Sequence, residues 1–482
     1  MQIKLKKPHG WYRVAIAGAA VLASVSAAGI AAASSQSINP TLPGYRLKFG
    51  TQFVASVVAP NGDNNPYGIA VVPLTSGTLT AGNILVADFN SASGAAGGGT
   101  SIMQVNPTTG VSTVFASGLP ISGPVGISIN PVNDGVWLGD FGSTDGSTSN
   151  VLLVLPNGTV KAKFSAATAP VTSGTQPTFD GVWGQGVSQL STGQVSFYYG
   201  TTGSGVSGTG GGEVWRLDPH PTATTPNGQP LNATYVELAT GLGDNATTNA
   251  LPVTATNAAG PQSFAYDAAT GTLYVTDGAN NTIYAIPNAA TATGPVVATA
   301  LPVAAGVLNV PESIVIDPTT SQLYVVNAGN NTLVGINPTT GAFQGYGVLD
   351  RTAAGALFGL AAATETVGAT SKTVLYYVDD NSNKLMKAMV TGRLQVGPHA
   401  SKVAGTAIAG RTIALTILGS GFYGQPKITS STGAETMAVV TRDSGTMLTV
   451  RVTVSPGTAR GIHTFKIVLA NGTSSSVRYN QA

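Results

Sequence analysis

The side chains able to do chemistry in this chain are few in kind. There is no cysteine, which excludes disulfides, thiol catalysis, thiolate metal sites and a lipid-anchored cysteine. Of the four histidines, His9 stands near the start, His399 and His463 in the last hundred residues, and His220 alone in the middle, within a proline-rich stretch. That spacing argues against a Ser-His-Asp arrangement or a histidine-based lyase site. The glycine run that ends at Gly212 (GTGGG) is followed by neither a Lys-Ser/Thr pair nor a helical pattern, so it is no phosphate loop. Acids and amides remain. Asp180 in FDGVWGQ, Gln262 in GPQSFAY and Glu312 in VPESIVI each stand at the head of a short apolar run. Two carboxylates and an amide oxygen are donors that suit a hard cation such as calcium, provided the fold brings them together. A second set, Asp88, Asp140, Asp277, Asn327 and Asp379, closes later runs of the same kind. Their expected role is structural, accepting hydrogen bonds from turn N–H groups, with metal ligation as the alternative.

The elements that must position these residues are short. The 482 residues are 43% hydrophobic but only 9% charged, with 62 glycines, a balance that fits many brief strands joined by tight polar turns. The formal net charge is +2, yet Lys4, Lys6, Lys7 and Arg13 account for four of the positive charges, leaving the rest slightly acidic. No basic face for nucleic acid is expected. A charged stretch over residues 4–13, an apolar one over 14–30 and Ala31-Ala32-Ala33 before Ser34 have the three parts of a secretory signal peptide. We expect residues 1–33 to be removed and the mature chain to be secreted or periplasmic, with an uncleaved anchor as the alternative. No later segment has the roughly twenty apolar residues of a membrane span.

A repeat organises the rest. GPQSFAYDAATGTLYVTDGANNTIYAIP from Gly260 and VPESIVIDPTTSQLYVVNAGNNTLVGINP from Val310 are two copies fifty residues apart, with Pro261, Asp267, Tyr274 and Asn281 matching Pro311, Asp317, Tyr324 and Asn331. Each reads as a meander of three strands, in the first copy over residues 263–266, 273–276 and 282–286, with a fourth, outer strand needed to complete the unit. Looser copies begin at Pro66 (PYGIAVV), Gly123 (GPVGISINP), Phe179 (FDGVWGQ) and Leu357 (LFGLAAA), making six. One such unit cannot bury both faces, whereas six packed radially can. The sequence therefore predicts an all-β, six-bladed β-propeller over residues 34–392, with the strand-like text at 45–58 pairing into the last blade as a clasp.

Pro66-Tyr67-Gly68-Ile69 with Ala87-Asp88, and Pro124-Val125-Gly126-Ile127 with Gly139-Asp140, carry a resemblance to NHL-repeat proteins across residues 66–390. The third copy departs most, lacking the proline and carrying a Gly- and Thr-rich insertion. The resemblance implies that the residue between proline and glycine faces the mouth of the central channel. That column reads Tyr67, Val125, Asp180, Gln262, Glu312 and Phe358. It also implies a comparison with gluconolactonase-like propellers, which hold a catalytic metal there with acidic and amide side chains, although this chain lacks their close sequence match. Three readings of the ring follow: residues lining a wet channel, a site for a ligand or for a divalent cation at Asp180, Gln262 and Glu312, or a metal-dependent hydrolase of lactones or related esters. After Gly392 the period stops. LTILGSGF and GIHTFKIVLANG resemble IPT/TIG immunoglobulin-like domains, implying a small β-sandwich over 393–482 that acts as a spacer or interaction module. The leading expectation is an exported binding or scaffold protein whose partner is a protein, a glycan or a small molecule.

Overall fold

A computed structural model of the chain describes residues 45–142, 146–168, 176–203, 211–219, 233–244, 260–367, 370–395, 399–420, 422, 426–430, 433, 435–444, 447–468 and 474–482. The expected signal peptide and His220 lie outside the described residues. Apart from one short 3-10 turn at Asp380–Ser382, the described elements are strands.

The first twenty-four strands form six four-stranded meanders. Blade 1 is Asn64–Val71, Ile84–Asn90, Ser101–Val105 and Ser112–Ser117; blade 2 is Pro124–Ile129, Val136–Asp140, Asn150–Val154 and Val160–Phe164. Blade 3 opens with Val182–Gln189 and Val195–Thr201, blade 4 with Pro261–Asp267 and Thr272–Asp277, and blade 5 with Pro311–Ile316 and Leu323–Asn327. Blade 6 takes Leu357–Val367, Thr370–Asp379 and Lys384–Gln395 from its own stretch of chain and Tyr45–Ser56 from the N-terminal side. This last strand runs antiparallel to Lys384–Gln395 from Tyr45↔Gln395 to Ser56↔Lys384, and a single parallel bridge, Arg46↔Tyr346, ties it to blade 5.

One extra residue recurs in every innermost strand. Pro66 faces Asp88 but Ile69 already faces Val86, and the same slip follows Pro124↔Asp140, Val182↔Thr201, Pro261↔Asp277, Pro311↔Asn327 and Leu357↔Asp379. A bulge of this kind bends the strand and re-aims the side chain it carries. Next to each bulged residue the innermost strands touch in cyclic order. A Cβ on Gly68 would lie 2.0 Å from the Val125 oxygen, one on Gly126 2.6 Å from the Gln185 nitrogen, and one on Gly184 2.5 Å from the Gln262 oxygen. Blades 4 and 5 carry serine at this position and turn the contact into hydrogen bonds. The Ile314 N–H donates to Ser263 Oγ at 3.3 Å and the Leu360 N–H to Ser313 Oγ at 3.1 Å. Gly359 closes the circle, with its Cβ position 2.0 Å from the Tyr67 oxygen. Apolar clusters fill the wedges between neighbouring blades, for example Leu85 with Leu138, and Trp137 stacked on Phe197 at 4.0 Å.

The remaining strands make a two-sheet sandwich. His399–Ala404, Thr412–Ser420, Met447–Val454 and Glu435–Ser444 form one sheet, and Lys427–Ser430, Gly461–Val468 and Ser474–Gln481 the other. Leu415, Ile417, Val450, Phe465 and Ile467 supply its own core. His463 belongs here, its Nδ1 2.8 Å from Glu435 Oε1, which also accepts from the Tyr479 hydroxyl at 2.8 Å.

Candidate functional site

The innermost strands leave one edge unpaired, so their backbone groups face the propeller axis. A cavity of about 340 Å³ runs along that axis and is lined by residues from all six innermost strands. Tyr67, Val125, Gln262, Glu312 and Phe358 line it at the bulged end, and the wall continues to Pro73 and Pro131. In between, Ile69, Ile127, Ile129, Ile314 and Leu360 are among the lining residues, together with Ser128, Gln185, Ser263 and Ser313.

Asp180 is not among the lining residues. The pairing Val182↔Thr201 makes Val182 the counterpart of Pro66, so the ring position in blade 3 belongs to Trp183, three residues further on. Phe179-Asp180-Gly181 imitates the expected motif, but Gly181 has φ +66° and sits in the turn, where the Asp180 carbonyl accepts from the Gly203 N–H at 3.0 Å. The trio Asp180, Gln262 and Glu312 therefore does not assemble. Without Asp180 the ring holds one carboxyl and one amide, too few oxygens for the six to eight that calcium takes. Among the described residues no group of three or more His, Cys, Asp and Glu could hold a metal ion.

The ring that does assemble has two unlike halves. Tyr67 stacks on Phe358 at 4.1 Å and meets Trp183 edge-on at 5.3 Å; Phe89 and Phe141 lie 5.4 and 5.2 Å from Trp183. These five rings pack across blades 6, 1, 2 and 3. Opposite them stand Gln262 and Glu312 on blades 4 and 5. Glu312 is 3% exposed, and burial pushes its carboxyl well above the usual range, which favours the protonated form. Its Oε1 has no hydrogen-bond partner. The Tyr67 hydroxyl is pushed up by burial, then by Glu312 and Asp380, and stays protonated. Gln185, two residues past Trp183, also lines the cavity; it is buried, and neither its Oε1 nor its Nε2 has a partner.

Buried polar atoms normally find partners, and each exception asks for an explanation. Here the cavity presents a carboxyl that burial pushes towards its protonated form and an unengaged carboxamide, groups able to donate and to accept. The arrangement can recognise a group that does the same, such as a hydroxyl. Of the six residues expected at the ring, Tyr67, Val125, Gln262, Glu312 and Phe358 line the cavity and Asp180 does not; Trp183 and Gln185, which also line it, were not singled out in the sequence. An aromatic residue before glycine, as in Tyr67-Gly68 and Phe358-Gly359, was the available signal for Trp183-Gly184.

The second column behaves as structure in five blades. Asp140 accepts from the Ser122 N–H at 2.6 Å and from Asn150 Nδ2 at 2.8 Å. Asp277 accepts from the Gly243 N–H at 2.7 Å and Asn327 from the Asn309 N–H at 3.2 Å. Asp379 takes the Ser382 N–H, and Thr201, the counterpart in blade 3, the Glu213 N–H. Asp88 is the exception.

No protein-family model matches the chain. No curated protein matches it either. Solved structures do. The chain is similar to a protein in a nidogen/laminin complex at 11% identity, over 65% of this chain and 98% of that one, with a TM-score of 0.39. It is similar to an auxiliary nutrient binding protein from Bacteroides thetaiotaomicron at 10% identity, over 71% of this chain and 76% of that one, with a TM-score of 0.43. It is also similar to regucalcin, a calcium-binding protein from Agrobacterium tumefaciens, at 12% identity, over 72% of this chain and 96% of that one, with a TM-score of 0.41. The six-blade count rests on the strand order and the cyclic contacts described above. Among the described residues no helix is long and apolar enough to cross a membrane.

Proposed function

We propose that the chain is an exported binding protein of NHL-like type. Its propeller cavity takes a small neutral ligand bearing hydroxyl groups, either free or as the end of a glycan, and its IPT/TIG-like sandwich serves as a spacer. The observation that carries this reading is the buried Glu312, its carboxyl pushed up by burial and its Oε1 unengaged, on a cavity lined by both apolar and polar residues. A concave space with a few placed polar groups is the usual form of a small-ligand site. The volume suits a molecule the size of a monosaccharide. Charged ligands fit less well: an anion would meet a carboxyl with no cation near it, and a cation would require Glu312 to ionise. The hydrolase reading has less to support it, because the metal set on which it was built needs Asp180.

The test is a panel of monosaccharides, polyols and small lactones, read by thermal shift and by tryptophan fluorescence, since Trp183 lines the cavity. At least one hydroxylated compound should raise Tm and perturb the fluorescence, and Glu312→Leu, of similar volume, should weaken it at least about tenfold, the worth of one buried hydrogen bond to a placed group. A panel without any hit, or a hit indifferent to Glu312→Leu, contradicts the proposal. Lactone turnover abolished in Glu312→Leu would favour the hydrolase.

A further inference from the structure

Asp88 ends the second strand of blade 1, the position whose side chain accepts a backbone N–H in the other five blades. It is 0% exposed, and neither carboxyl oxygen has a hydrogen-bond partner. The repeat therefore does not explain it. A further buried acceptor without a donor stands beside it in the strand. Asn90 is two residues along the same strand and so on the same face of the sheet, and its Oδ1 has no partner.

A second carboxylate adjoins them. Asp63 Oδ2 accepts from the Thr100 N–H at 2.8 Å, Ser101 Oγ at 2.8 Å, Asn61 Nδ2 at 2.8 Å and Thr100 Oγ1 at 3.0 Å, and Ser101 is the cross-strand partner of Asp88. All four bonds go to Oδ2, so they leave Oδ1 free of that network. Burial tends to raise the Asp63 carboxyl, but the bonds from Thr100, Ser101 and Asn61 outweigh it and hold the group below its ordinary range, hence ionised. Burial first, then the charge of Asp63, pushes Asp88 up to about 9.

Buried carboxyl and carboxamide oxygens that no donor reaches, beside an ionised carboxylate, are what a hard cation requires and what a network of hydrogen bonds avoids. We propose that Asp63, Asp88 and Asn90 form a calcium site at the loop end of blade 1, separate from the axial cavity. Calcium suits the set better than a transition metal because every donor is oxygen and one is a neutral amide. Binding would remove the Asp88 proton and balance two carboxylates with one divalent ion. Phe89 follows Asp88 and packs on Tyr67 and Trp183, so occupancy would also steady the aromatic half of the ring.

The experiment uses the full chain stripped with a chelator, at pH 7. Added calcium chloride should raise Tm by roughly 5 °C at a hundred times half-saturation. Terbium should bind at one site with emission sensitised by Tyr67 and Trp183, and calorimetry in two buffers should show nearly one proton released per calcium. Asp88→Asn, which copies the neutral acid and so should fold, must lose both the Tm shift and the terbium signal; Asn90→Ala, at a half-buried position, should weaken them. Glu312→Gln must keep them, which separates this site from the axial cavity. No calcium response, no proton release, or a response that survives in Asp88→Asn overturns the proposal and leaves bound water to satisfy these oxygens.

Discussion

Two buried acids, Glu312 and Asp88, are pushed towards their protonated forms for the same reason: taking a carboxylate out of water without a cation is costly. For Glu312 this has a measurable consequence. A carboxyl raised above its unfolded range binds a proton on folding, so its stabilising contribution is full below about pH 4, the unfolded value, and is lost as pH rises towards the folded one. Metal-free protein should therefore lose stability as pH rises above about 5, at up to about 1.4 kcal/mol per pH unit for each such group. Glu312→Gln keeps the shape and cannot titrate, so denaturant unfolding at several pH values should show a shallower slope than wild type. An unchanged slope would mean that Glu312 is ionised in the fold. Nothing in the sequence announced this. VPESIVI and GPQSFAY give residue type and place, while the upward shift arises from burial in the assembled ring.

At the scale of the strand, the working unit is the bulge and the small residue behind it. The bulge re-aims Tyr67, Trp183, Gln262, Glu312 or Phe358, and Gly68, Gly126, Gly184 or Gly359 lets the next innermost strand approach. Gly359→Ala would put a methyl group 2.0 Å from the Tyr67 backbone oxygen, at the contact that joins the last blade to the first. The chain should lose at least about 2 kcal/mol, since an overpacked backbone contact cannot be relieved by a rotamer change. Gly50→Ala in the clasp strand meets nothing within 4 Å and should stay within about 0.5 kcal/mol of wild type. Equal melting temperatures for the two variants would refute the close approach. Gly68, Gly126 and Gly359 were legible in the sequence, because they stand at one position of three of the copies. The register of blade 3 was not: Phe179-Asp180-Gly181 and Val182-Trp183-Gly184 both offer a residue before glycine, and only the pairing of Val182 with Thr201 decides between them.

At the scale of the molecule, a radial ring of sheets has no hydrophobic centre. The cores lie between blades, and what remains on the axis is a space walled by strand edges. Six repeats counted in the sequence sufficed to expect this, since each copy has the length and turn chemistry of a meander. The contents of the axis were half legible, because the ring positions come from a motif, whereas Phe89, in the second strand of blade 1, and Phe141, just past that of blade 2, lie outside it. The central claim is that Glu312 holds a hydroxylated small molecule in that space, and it is tested most directly by what the protein carries. Wild type and Glu312→Leu, purified in parallel from the native host, should be denatured and their small-molecule extracts compared by mass spectrometry. The account predicts a hydroxyl-bearing compound of monosaccharide size, near stoichiometric in the wild-type extract and depleted at least about tenfold from the variant. Extracts that do not differ would contradict it.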